Sequence, residues 1–206
     1  MNINPQLFLY LFFSFILATI VGTLSHELGH YLVAEWLGYD AEIHYAAMGI
    51  IDSTHVTDTG ASDGFWITFG GPPQTMLTGS IGLLFLFLYR HRFHDSSKLA
   101  YWQWCLVFIS LFWLRQPANL VTRLGAWIFY GHLSSRGDEI RLAQYLHMPE
   151  WSILISTAVL GMMVLAIVYF LFIPQKQRTT FLLAGLSGGI AGYVLWLKIV
   201  GKLILP

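Results

Sequence analysis

The chain has 206 residues, of which 56% are hydrophobic, 16% aromatic and only 11% charged, against roughly 25% charged in an ordinary soluble domain. Eleven basic and eleven acidic side chains cancel, which leaves no positive field for phosphates and excludes nucleic acid as a partner. A single cysteine, Cys105, excludes internal disulfides and any zinc site built on paired cysteines.

So apolar a composition predicts an all-α integral membrane protein, one polytopic domain over residues 1–206, with the lipid bilayer as its surroundings. Charge-free stretches mark about five transmembrane helices. The first covers residues 1–26, apolar from Leu7, and its helical pattern runs on through His30, Val33 and Trp36 to a stop at Gly38. It has no basic start and no small-residue cleavage pattern, so it reads as a retained helix rather than a leader. Next comes 39–63, with five acids and no Lys or Arg. Ile43, Tyr45, Ile50, Ile51 and Val56 alternate patchily there, with Gly49 and Gly60 as turn points, which fits either a solvated loop or a short hairpin dipping towards a site.

Further spans are expected at 64–89, 99–114, 151–175 and 179–197. The stretch 124–135 is too short to cross and reads as re-entrant or interfacial. Trp102, Trp104 and Trp113 fit interfacial belts around the third span; Arg115, next to Pro117 and Asn119, reads most simply as a snorkelling cation, with pairing to an acid near the site as the alternative. The basic loops 90–98 and 176–178 place the N-terminus in the cytoplasm by the positive-inside rule, although Arg123, Arg136 and Arg141 oppose it. Gly185, Gly188, Gly189 and Gly192 in the last span suit a tight helix crossing within the bundle.

The chemistry concentrates at residues 26–30, His-Glu-Leu-Gly-His. On a helix, positions i and i+4 share a face, so His26 and His30 can reach one metal ion. Glu27 lies beside them, where its carboxylate can take a proton from a water on that metal. Zinc suits two imidazoles and keeps a position open for water. Ionisable residues inside an apolar helix are functional by default. From Leu7 to His26 the helix rises about 28 Å at about 1.5 Å per residue, which puts this cluster near one face of the membrane.

A third ligand should be a carboxylate. Asp138, at the start of an amphipathic stretch, is the first choice, and Glu139 the second. Both also suit the N-terminal end of a helix dipole. Asp52, Asp58 and Asp63 compete from a water-facing loop, and Glu35 is turned off the ligand face. His44, His55, His91, His94, His132 and His147 are scattered and are expected to bind no metal.

With these residues in place, the chain resembles the site-2 protease family of intramembrane zinc metalloproteases. His26, Glu27 and His30 match its His-Glu-x-x-His motif. Gly71-Pro72-Pro73-Gln74-Thr75 resembles its Gly-Pro-x-x-Asn element, with Thr75 in place of Asn. Pro117 and Asn119 resemble the Asn- and Pro-containing stretch that precedes the family's third ligand. That ligand lies in an Asp-Gly pair, whereas this chain has Gly137-Asp138. The resemblance implies one zinc ion per chain on His26, His30 and Asp138, with Glu27 as general base. It also implies that Asn119, Gly71 and Pro72 position the substrate, a transmembrane protein whose peptide bonds are hydrolysed in or next to the cell membrane. The alternative is a catalytically silent scaffold or transporter that retains the fold, and a di-iron oxygenase is disfavoured because no further histidine cluster is present.

Overall fold

The computed structural model describes residues 3–52, 61–94, 97–131 and 137–206. Its order is α1 (Pro5–Trp36), β1 (Asp40–Ile43), β2 (Met48–Asp52), α2 (Ala61–Leu88), α3 (Arg90–His94), α4 (Tyr101–Ser110), α5 (Arg115–Tyr130), α6 (Asp138–Tyr145), α7 (Ser152–Ile167), α8 (Gln175–Val194) and α9 (Gly201–Ile204). A 3-10 turn, Leu111–Leu114, joins α4 to α5. Wide π turns follow α7 at Val168–Phe172 and α8 at Leu195–Val200.

Four helical rods among the described residues are long and apolar enough to cross a membrane: Pro5–Trp36, Tyr101–Phe129, Ser152–Phe172 and Gln175–Ile204. Their outer faces carry large apolar side chains with no protein cover. On α1 these are Leu9, Phe13, Leu17 and Val21, one turn apart, then Leu28 and Leu32 on the same side. A stripe of this kind is stable against lipid and costly against water. The protein is therefore read as a membrane protein.

Two expectations change. The third span does not end at 114. The 3-10 turn tightens the chain and α5 continues the same rod, so 124–130 is its far end and not a separate re-entrant segment. Pro117 is tolerated because it stands in the first turn of α5, where a missing N–H costs least. The predicted second span forms the 28-residue α2, but its first half is diluted by Gly70, Gly71, Pro72, Pro73, Gln74 and Thr75, and it is not one of the four.

The segment after α1 does form a hairpin. β1 and β2 pair antiparallel, with Ala41 opposite Ile50 and Ile43 opposite Met48. Glu35 of α1 holds it from below, its Oε1 accepting from the Ala41 amide at 3.2 Å. The turn is clamped from the other side. Trp196 Nε1 donates to the Tyr45 carbonyl at 2.7 Å, and the Tyr45 amide donates to Leu205 O at 3.1 Å.

The main apolar core lies towards the N-terminal end of α1. Leu11 and Phe15 meet Leu86, Trp104, Val107, Phe172, Phe181 and Ala184 there. Trp104 is 1% exposed and stacked on Phe181, and Trp113 is 9% exposed with its Nε1 donating to Ser80 Oγ at 3.2 Å. Only Trp102 of the three tryptophans is exposed as an interfacial belt requires. The other two pack inward, Trp104 against Phe181 of α8 and Trp113, in the 3-10 turn, against Ser80 of α2. Gly185, Gly188 and Gly192 of the last span serve a crossing inside the bundle, as expected, whereas Gly189 has open space beside it. A methyl group on Gly188 would come within 2.5 Å of the Phe12 carbonyl oxygen, and one on Gly192 within 3.0 Å of Ile16 Cα.

Candidate metal centre

The apolar run that starts α1 carries it beyond the core to His26, Glu27 and His30, all buried on its inner side. Helix α2 comes up against this turn with no side chain between the two backbones. A methyl group on Gly29 would lie 2.5 Å from the Gly70 carbonyl oxygen, so the Gly of His-Glu-Leu-Gly-His is there to admit α2. Gly71 then sits directly under the two imidazoles. A methyl group on it would lie 2.7 Å from His26 Nε2 and closer still to His30 Nε2. Prolines 72 and 73 lack N–H groups, which loosens the carbonyl ladder of this part of α2. The nearby Ile67 carbonyl accepts from His30 Nδ1 at 2.7 Å. That bond fixes the imidazole with Nε2 directed inward.

The third corner arrives from α6. Gly137 precedes it with φ 140°, a backbone state open to glycine, and turns the chain so that Asp138 begins the helix facing α1. Ile140, Leu142 and Ala143 are buried and dock α6 in the bundle. His26 Nε2 is 2.9 Å from Asp138 Oδ2, His30 Nε2 is 3.5 Å from the same oxygen, and the two Nε2 atoms are 3.1 Å apart. Burial opposes ionisation of Asp138. Its hydrogen bonds with both histidines outweigh that and hold the carboxyl well below the usual carboxylate range.

These residues fit a metal ion. Zinc bonds of about 2.0–2.1 Å in tetrahedral geometry separate neighbouring donor atoms by about 3.3 Å, and the three separations scatter around that value. The donor set, two imidazoles and one carboxylate, leaves a fourth position open. Within the described residues, His26, His30 and Asp138 are the group placed to hold a metal ion.

The competing acids are engaged elsewhere. Glu35 caps the hairpin, Asp63 accepts from Tyr39 Oη at 3.0 Å, and Asp52 lies in β2 opposite Asp40. Glu139 is buried and accepts from Asn119 Nδ2 at 3.0 Å. Asp58, His55 and His132 lie outside the described residues. His44 contacts Glu42 and the Pro206 carbonyl, away from the centre.

A cavity of about 400 Å³ opens beside the centre between α1, α5 and α8. Glu27, Thr75, Arg115 and Asn119 form its polar end, and Phe15, Phe108 and Phe112 line its apolar part. The Met48 amide, at the start of β2, lies near the Glu27 carboxylate. Thus Glu27, the hairpin turn at Ala46 and the cavity meet at one place.

The residues expected to position substrate divide. Asn119 does face the cavity, but one of its two N–H donors is used on Glu139. Gly71 is the backbone floor of the centre. Pro72 instead lines a separate apolar cavity of about 110 Å³ towards α6 and α7, because consecutive helical residues diverge by about 100°. Thr75 and Arg115 also line the cavity. Thr75 stands one turn after Gly71, and Arg115 is near the site as its place beside Pro117 and Asn119 allowed, but with no acid among the described residues at ion-pair distance.

No family model, curated protein or solved structure matches the chain.

Proposed function

We propose that the chain is an intramembrane zinc endopeptidase of the cell membrane, with α2 as a fifth crossing helix beside the four more apolar ones. The observation that carries this reading is the convergence of His26, His30 and Asp138 next to a buried Glu27 that faces a cavity at membrane depth. A carboxylate with no ligand role, adjacent to a metal tripod and open to a cavity, is what amide hydrolysis needs.

Zinc on the three residues would supply Lewis acidity, lowering the pKa of water and polarising a carbonyl. The chain supplies the rest. Glu27 takes a proton from the attacking water and returns it to the leaving amine nitrogen. The substrate is a transmembrane or membrane-proximal segment that unwinds locally to expose its amide. The free edge of the hairpin, which begins next to Glu27, can pair with that unwound strand.

Cleavage by the full-length chain can be tested in liposomes containing a panel of single-span membrane proteins, with fragments read by mass spectrometry. Cuts within or beside a span are expected. They should stop with 1,10-phenanthroline and return when zinc is restored. A fully zinc-loaded chain that cuts none of the panel would favour a silent scaffold.

A further inference from the structure

Arg115 is the first residue of α5 and lines the cavity with Glu27. Its charge acts electrostatically on both His26 and Glu27. Yet its Nε is buried with no hydrogen-bond partner, and no carboxylate among the described residues lies within 4.0 Å of it. Arg178 shows the contrast. Its guanidinium donates to the carbonyls of Ile173 and Phe170 and lies against the rings of Tyr169 and Phe170. A cation with no anion at ion-pair distance at membrane depth is costly and signals a function.

Resting on the peptidase reading, we infer that Arg115 is a catalytic residue whose guanidinium donates to the carbonyl oxygen of the scissile amide. Water gives its proton to Glu27 and its oxygen bonds to the carbonyl carbon. The π pair moves onto the carbonyl oxygen, so negative charge leaves Glu27 and appears on that oxygen. Collapse breaks the C–N bond, and the proton on Glu27 passes to the amine. Arg115 borders the space through which this charge moves, and a preorganised donor in a low-dielectric cavity is most effective there. The cavity beyond it is walled by Phe15, Phe108 and Phe112. Such walls suit apolar substrate side chains, so the anion Arg115 meets is the one formed by the reaction. Asn119, with one N–H already on Glu139, holds the acid next to Asp138.

The test compares two zinc-chelating probes on the full-length, zinc-loaded protein in detergent: a Leu-Leu phosphinic peptide amide, tetrahedral and anionic, and the hydroxamate of the same peptide. Calorimetry gives both affinities, and elemental analysis gives the zinc content. Arg115→Gln should weaken the phosphinate by about 10²-fold, with hydroxamate affinity and zinc content unchanged, and Arg115→Lys should recover part of the loss. Equal weakening of both probes would make Arg115 a packing residue, and no weakening of either would place its guanidinium away from the oxyanion; each overturns the inference alone. A zinc-loaded parent that binds neither probe overturns the peptidase reading and this role with it.

Discussion

Glu27→Gln should lower the rate of peptide cleavage by about 10²–10⁴-fold, the range for loss of a general base, while the protein keeps its zinc. Glutamine preserves the shape of the side chain and its place at the cavity. What disappears is the ability to accept a proton from water and return it to the amine. The ligand atoms of His26, His30 and Asp138 are untouched. Cleavage rate and zinc content measured on one preparation separate the two effects. Cleavage that survives the substitution would remove Glu27 from the role of base.

Gly71→Ala should damage the centre through packing alone. The added methyl would lie 2.7 Å from His26 Nε2, where no carbon can stay, and the two backbones that carry Gly71 and the imidazoles are already in contact at Gly29 and Gly70. Overpacking of this kind costs about 1–3 kcal/mol. Because the displaced atoms are the ligands, metal affinity should fall by about 10–100-fold, the range seen when ligand orientation is lost. Competition with a zinc indicator reads this directly. Gly125→Ala, where nothing lies within 4 Å of the new methyl, is the control and should bind zinc as the parent does.

Much of this centre was legible because it is local. His26 and His30 are one turn apart on one helix, so the i, i+4 rule places their Nε2 atoms together without knowledge of the fold. Asp138 was reachable by elimination, as an acid at the start of an amphipathic helix. The helices were legible wherever charges bounded them. The third rod was not, because Arg115 and Pro117 imitate a loop while the chain passes through a 3-10 turn and remains helical. Trp104 and Trp113 were misplaced because residue type alone cannot separate an aromatic belt from a core; their partners on α8 and α2, Phe181 and Ser80, decide it. Arg115 read first as a snorkelling cation for the related reason that its neighbours in the cavity come from α1 and α2. The identical Cβ-free step that explains Gly71 was visible as a Gly-Pro pair, but its contact with two imidazoles exists only after α2 has docked on Gly29.

The most direct measurement is zinc per chain, by elemental analysis of detergent-purified protein that elutes as one folded species, run beside His26→Ala and Asp138→Ala. One zinc per chain in the parent, lost in both variants, is the predicted result, because each substitution removes one corner of a three-donor centre. Zinc lost with His26→Ala and kept with Asp138→Ala would contradict Asp138 as the third ligand. A folded parent that takes up no zinc when it is supplied would contradict the metal centre itself.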